Sequence, residues 1–264
     1  MDNNSPIGIL DSGVGGLTAA DCVSRLLPDE SIVYFGDGAN MPYGNKSREE
    51  IIRLANRMIY YLEGRGVKMI LLACNTISSL KSSLSCGVPS IDIVSAGAAA
   101  VGQIAGAGET VGLIATKATV DCKAYDKAVG SLGKGITLIS NASTSLPKII
   151  DSQLENASLL DEKIRECIDP IVLSGRVTKL ILGCSHFPII REEISLIYPE
   201  LELIDPAEMQ AKMLKDYLSK EGKAALPGKR EVKLYTSGPP TEFDATLRRL
   251  AIAPDDIESV VWED

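Results

Sequence analysis

Two stretches of one kind constrain the fold more than anything else in the chain: Lys68-Met69-Ile70-Leu71-Leu72-Ala73-Cys74-Asn75-Thr76 and Lys179-Leu180-Ile181-Leu182-Gly183-Cys184-Ser185-His186. Each is a run of large apolar residues followed by a small residue, a cysteine and two polar residues. A run without polar alternation reads as a strand buried on both faces, and such strands belong to parallel sheets covered by helices. In open α/β sheets ligands bind beyond the carboxyl ends of the strands, so both thiols are expected at such an edge.

The rest of the chain alternates strand and helix patterns. Ile7 to Leu10 is a short apolar run, 11–16 a glycine-rich turn, and Leu17 to Leu27 a helical pattern. A strand from Ser31 to Phe35 leads into a loop of turn formers, 36–46, and Ser47 with Glu50 makes a capping box for a helix over Arg48 to Glu63, ended by Gly64 and Gly66. After the first cysteine strand come a helix from Thr76 to Leu84, a strand from Ser90 to Val94 and a small-residue helix from Ala96 to Ala107. The pattern then restarts with a strand from Thr110 to Ala115, a helix from Thr116 to Val129, a strand from Ile136 to Ile139, a polar loop over 141–146 and helices between Pro147 and Leu173. The second cysteine strand follows, then a helix with Pro188 in its first turn, where the missing N–H costs nothing, ending at Ile197. Strand Leu201 to Ile204, helix Ala207 to Ser219, strand Val232 to Tyr235, helix Thr241 to Leu250 and strand Ser259 to Trp262 complete it. The class is therefore α/β with mostly parallel sheets flanked by helices, and the cysteine strands hold equivalent places in two similar halves.

Charge and cysteine usage exclude several functions. There are 35 acidic against 27 basic residues, a formal charge of −8 and no Lys/Arg block, which speaks against nucleic acid. The first residues lack the features of a signal peptide and no apolar run reaches membrane-spanning length, so a cytoplasmic protein with no membrane partner is expected. Cys22, Cys74, Cys86, Cys122, Cys167 and Cys184 show no CxxC spacing, against a zinc site and a redox pair, and in a reducing compartment they are free thiols. The turn Asp11-Ser12-Gly13-Val14-Gly15-Gly16 invites a dinucleotide reading, but its third glycine position is Thr18, so the spacing fails.

Two lobes facing each other would bring Cys74 and Cys184 to one pocket. Two such thiols can form a disulfide, bind a soft metal, or flank a substrate and exchange a proton with it; metal binding wants further ligands, and His186 is the only histidine. Flanking fits best, because a thiol with a pKa near ~8.5 serves as a base in one state and an acid in the other. Each cysteine precedes a helix, whose positive end is expected to favour thiolate. His186 is the proton partner beside Cys184 and Asp11 the matching residue near Cys74. The other four cysteines read as small buried apolar residues.

Seven motifs in order carry a resemblance: Gly8 to Thr18, Tyr34-Phe35-Gly36-Asp37, Pro42-Tyr43-Gly44, Ala73-Cys74-Asn75-Thr76, Thr116 to Thr119, Leu182-Gly183-Cys184-Ser185-His186, and Leu203-Ile204-Asp205. With them the chain resembles the glutamate racemases of the aspartate/glutamate racemase superfamily over nearly its whole length. The resemblance implies two pseudo-symmetric lobes, 1–96 with 207–264 and 97–206, and an active site in the cleft between them. It implies a homodimer acting on a small amino acid, interconverting L- and D-glutamate without cofactor or metal and supplying D-glutamate for peptidoglycan. Cys74 and Cys184 would act on opposite faces of the α-carbon, Asp11 supporting the first and His186 the second. Asp11, Ser12, Pro42, Tyr43, Gly44, Asn75, Thr76, Thr119, Ser185 and His186 would bind substrate. Aspartate or another amino acid as substrate, a racemase-like binding protein without turnover, and a nucleotide-dependent α/β enzyme are the other readings. The two cysteines weigh against the binding protein and the failed glycine spacing against the nucleotide enzyme.

The chain departs from the family pattern at Gly38 and Asn40, at Ser185 and Phe187, and over 140–151, where the family carries Cys-Pro and then a glutamate that assists the second cysteine. Counted from Pro147, that glutamate falls at Ile150, which leaves His186 without a carboxylate and turns Asp151 away; a gap within 141–146 would instead bring Asp151 into the pocket.

Overall fold

In the computed structural model, which describes residues 2–175, 177–228 and 230–262, every strand pairing is parallel. The strands are β1 (Ile7–Asp11), β2 (Ile32–Gly36), β3 (Met69–Leu72), β4 (Ser90–Asp92), β5 (Thr110–Ala115), β6 (Thr137–Ala142), β7 (Lys179–Gly183), β8 (Glu202–Ile204), β9 (Val232–Thr236) and β10 (Asp256–Ser259). Between them run α1 (Leu17–Leu26), α2 (Arg48–Gly64), α3 (Asn75–Ser78), α4 (Ile93–Ile104), α5 (Lys117–Asp121), α6 (Ala124–Gly130), α7 (Leu146–Ser152), α8 (Ala157–Val172), α9 (Arg191–Ile197), α10 (Pro206–Lys220) and α11 (Asp244–Leu247). One sheet has the order β10-β9-β2-β1-β3-β4 and the other β6-β5-β7-β8. Both therefore repeat one winding, in which the second, first, third and fourth strands of a half lie side by side. The two cysteine strands, β3 and β7, are the third strand of each.

Alternate residues of a strand face opposite sides, and that period divides the core into layers. Ile9 and Leu71 of the first sheet look inward to a core that continues through Val101 of α4 and Leu214 of α10 to Val111 and Ile181 of the second sheet. Leu10, Ile70 and Leu72 look outward to Leu54 and Met58 of α2, while Ile114 and Leu180 of the second sheet meet Ile164 and Ile168 of α8. Helices α4 and α10 pack on each other and each touches strands of both sheets. Buried Gln210 of α10 donates from Nε2 to the carbonyl oxygens of Leu72, at 3.1 Å, and Ile91, at 2.9 Å, fixing this helix to the strand ends beside Cys74.

Several element ends differ from the sequence reading, for local reasons. The strand expected to reach Val94 stops at Asp92, whose Oδ1 accepts the Ser95 N–H at 2.7 Å and so starts α4 three residues before Ala96; the helix ends at Ile104, short of Ala107. The helix expected over Thr76 to Leu84 is the four-residue α3 and a 3-10 turn, and the one expected from Thr116 breaks into α5 and α6 at Lys123, which has φ 52°. Ser47 Oγ accepts the Glu50 N–H at 3.2 Å, but the Glu50 carboxylate turns to Lys46 at 2.8 Å, so only half of the capping box forms. The last strand lies at Asp256–Ser259, not at Ser259 to Trp262. Trp262 instead packs its ring 5.0 Å from Phe35 with the Arg57 guanidinium 4.4 Å above it. Among the described residues no helix is long and apolar enough to cross a membrane.

One buried ion pair ties the start of the chain to its later part. Lys68 Nζ lies 2.7 Å from Glu30 Oε2, both side chains 2% exposed, and it also donates to the carbonyls of Asn3 and Lys223, while Glu30 Oε1 accepts the Ala225 N–H at 2.8 Å. Removing one partner leaves the other charge buried and unpaired. Lys68→Ala is therefore expected to lower the unfolding free energy by about 3–5 kcal/mol in urea, and Glu30→Leu added to it to recover part of the loss.

Candidate active site

The carboxyl ends of β3 and β7 deliver Cys74 and Cys184 to the wall of one cavity of about 460 Å³. Both thiols are almost fully buried and both are free. Cys74 N-caps α3, whose first residues Asn75 and Thr76 continue the wall; across it stand Ser185 and His186. Ser12 from the turn after β1 and the stretch Met41, Pro42, Tyr43, Gly44 and Asn45 close one side, and Thr116, Lys117, Ser143, Thr144, Pro147, Lys148 and Asp151 the other.

One glycine of the first turn, Gly15, lets the two halves approach. A Cβ on Gly15 would stand 2.5 Å from Ser185 Oγ and 2.7 Å from His186 Nδ1, so only a residue without a side chain fits against the second cysteine loop. Thr18, where a dinucleotide fingerprint requires glycine, places its hydroxyl 2.9 Å from the Gly15 carbonyl oxygen and 3.3 Å from that of Ser185, a further tie across the cleft. Thr76 Oγ1 and Thr116 Oγ1 lie 3.2 Å apart on the opposite side. Gly15→Ala is expected to lower kcat/KM between about ten- and a hundredfold by shifting the Ser185-His186 loop, with the far-ultraviolet circular dichroism unchanged.

The two thiols have different surroundings. Cys74 Sγ is 3.5 Å from Ser12 Oγ, and burial, followed by the negative charge of Asp11, pushes its pKa up to about 12. The expected lowering by the helix end does not prevail, since α3 is a single turn and desolvation outweighs its dipole. Cys184 Sγ is 3.6 Å from His186 Nδ1, and His186 Nε2 is 3.0 Å from Asp151 Oδ1, a close ion contact outside hydrogen-bond alignment. Burial works against the imidazolium, but Asp151 and Cys184 outweigh it and hold the His186 pKa well above the ordinary value. Asp11 is completely buried; Oδ1 accepts the Gly13 N–H at 3.0 Å, Oδ2 has no aligned donor, and desolvation raises its pKa.

The family model for Asp/Glu/hydantoin racemases matches residues 18–214. The chain belongs to this family. Within the Asp/Glu racemases it is 35% identical to the glutamate racemase of Desulforudis audaxviator over 250 residues, 90% of this chain and 91% of the relative. Among solved structures it is similar to glutamate racemase isoform RacE1 from Bacillus anthracis, with a TM-score of 0.90 and 30% identity over 98% of both chains. The glutamate racemase of Francisella tularensis, crystallised with D-glutamate, gives a TM-score of 0.87 and 32% identity over 98% of both chains.

For a member of the racemase family, the placement of the expected residues is informative. Cys74, Cys184, Ser12, Pro42, Tyr43, Gly44, Asn75, Thr76, Ser185 and His186 all line the cavity. Asp11 and Thr119 do not: Asp11 lies behind the wall, and buried Thr119 sits 3.1 Å behind the hydroxyl of Thr116. Tyr43 donates its hydroxyl to Asp37 Oδ2, at 2.5 Å, a residue outside the cavity lining. The reading that left His186 without a carboxylate is corrected. β6 runs on to Ala142 and α7 begins at Leu146, and this phase buries Ile150 with Leu146 and Ile149 in the apolar core while Asp151 faces His186. Thr116, Lys117, Ser143 and Lys148 are cavity residues outside the expected substrate set; the motif Thr116 to Thr119 signals the first two, and for Ser143 the signal is the polar loop before α7.

Proposed function

We propose that the protein interconverts L- and D-glutamate without a cofactor, by proton transfer between two thiols. The observation that carries this reading is the arrival of Cys74 and Cys184 at one cavity from equivalent strands of two matching sheets. An α-carbon held between them loses its proton to one sulfur and regains a proton on the other face from the second. The imidazolium of His186, 3.6 Å from Cys184 Sγ, stabilises negative charge there, so Cys184 begins one direction as the base while Cys74, protonated at neutral pH, is the acid. In the reverse direction the roles exchange. From behind the wall Asp11 acts with Ser12 on Cys74, the substrate set is Ser12, Pro42, Tyr43, Gly44, Asn75, Thr76, Ser185 and His186, and Thr119 supports the wall through Thr116. Asn75, Thr76 and Ser185 present short polar groups to the carboxylates, Asn75 holding a carboxylate alike in ground and transition states, while fixed donors such as Thr76 and Ser185 stabilise the charge that develops on the α-carboxylate as the proton leaves.

Glutamate is favoured over aspartate because the relatives that match most of the chain are named glutamate racemases and one of the similar structures holds D-glutamate. The product serves peptidoglycan synthesis. The lobes 1–96 with 207–264 and 97–206, a homodimeric assembly and a cytoplasmic location belong to the same proposal. The test is proton NMR in D₂O with L- and D-forms of glutamate, aspartate and neutral amino acids, using protein dialysed against a chelator. Glutamate is expected to lose its α-proton and invert fastest. Turnover that depends on added pyridoxal phosphate or metal, or no inversion of any amino acid, would overturn the reading.

A further inference from the structure

Tyr125 of α6 lies outside the cavity wall and takes no part in the proton transfer. It is fully buried, and its hydroxyl donates to Asn75 Oδ1 at 2.8 Å, crossing from the half that carries Cys184 to the half that carries Cys74. Room for the ring comes from Gly97 in the interior of α4: a Cβ there would stand 2.7 Å from Tyr125 Cε1 and 2.9 Å from Oη. Glycine is unfavourable inside a helix, so α4 gives up stability to seat this phenol.

The direction of the hydrogen bond fixes the Asn75 amide. Burial, then the charges of Asp92 and Asp205, raise the Tyr125 pKa well above the ordinary phenol value, so the hydroxyl keeps its proton. Asn75 is its only hydrogen-bond partner among the described residues. Accepting from Nδ2 instead would leave both the phenol proton and Asn75 Oδ1 unpaired in a buried place, whereas donating to Oδ1 leaves only the Nδ2 donors without a partner. Asn75 Nδ2 is buried and unpartnered on a residue that lines the cavity. We infer that Tyr125 is a positioning residue, which locks the Asn75 amide with its N–H donors available to a carboxylate of the bound amino acid. A pocket selecting a dicarboxylate gains from this, since a free amide presents its oxygen as readily as its nitrogen. The inference rests on the glutamate racemase reading.

The test is a double-mutant cycle on the full-length protein, with wild type, Tyr125→Phe, Asn75→Ala and the pair. The apparent dissociation constant of equilibrated DL-glutamate is read by calorimetry, and KM and kcat by racemisation. Tyr125→Phe is expected to weaken binding and raise KM roughly three- to tenfold with kcat within about twofold, as befits one charge-assisted hydrogen bond made intermittent. On the Asn75→Ala background the same substitution is expected to add nothing. Gly97→Ala, which displaces the ring and keeps the hydroxyl, gives the same loss and the same disappearance. Unchanged binding in Tyr125→Phe, or a loss that persists undiminished without the Asn75 amide, overturns the inference while wild-type racemisation stands. Wild type that racemises no acidic amino acid removes the functional reading and this inference with it.

Discussion

Cys74→Ala and Cys184→Ala are each expected to lower kcat/KM by about 10²–10⁴-fold, the usual range for losing a positioned acid or base. The loss must be equal for L- and D-glutamate, because enantiomers have the same free energy and the ratio of the two kcat/KM values is fixed at one. The individual kcat values are free to differ. Removing Cys184 deletes the base of one direction and the acid of the other, and its neighbour His186, 3.6 Å away, does not occupy the same place. Removing Cys74 leaves Ser12 behind it, a hydroxyl too weakly acidic to replace the thiol. Both sites are small, so the melting temperature is expected to move only by a few degrees. Circular dichroism of each enantiomer at several concentrations gives all four constants, and near-normal turnover in either variant would remove that cysteine from the mechanism.

Asp151→Asn is expected to lower kcat/KM by about 10²-fold or more, with the larger fall in kcat in the direction that uses Cys184 as base. The carboxylate 3.0 Å from His186 Nε2 is the group that, against burial, holds the imidazolium in place beside Cys184. With the amide, the His186 titration moves down toward the ordinary histidine range. Because His186 is the only histidine in the chain, one pair of ring resonances reports this without assignment. Ile150→Glu is the matching control. Ile150 is 2% exposed in the core of the second half, so a glutamate there is expected to destabilise the fold by several kcal/mol and not to raise activity. Rescue of activity by Ile150→Glu together with an unaffected Asp151→Asn would reverse the assignment.

What the sequence made legible was what repeats. Unbroken apolar runs identified β3 and β7 as strands covered on both faces, and the restart of the pattern near Thr110 placed their cysteines at equivalent ends. What it left out depends on three-dimensional surroundings. The phase of α7 is set by where β6 stops, and a polar loop carries no periodicity to say so; one residue of slip exchanged Ile150 for Asp151. The glycines of the first turn are visible as a tight bend, but the closeness of Gly15 to Ser185 and His186, and the Thr18 tie to Ser185 across 167 residues, are not. The raised pKa of Cys74 is hidden for the same reason: a helix start is written in sequence, whereas the burial that opposes it arises only in the folded chain. Gly97 read as one small residue among many until Tyr125 gave it a partner.

The central claim is that the two thiols hold different protons on opposite faces of one α-carbon. It is tested most directly by racemising α-protiated L-glutamate in D₂O and following both enantiomers through the first few per cent of reaction. Two bases predict that the D-glutamate formed carries deuterium at the α-carbon from the start, while the remaining L-glutamate keeps its protium until product accumulates. Protium carried over intact into the product, or deuterium entering both enantiomers at equal initial rates, would contradict the account.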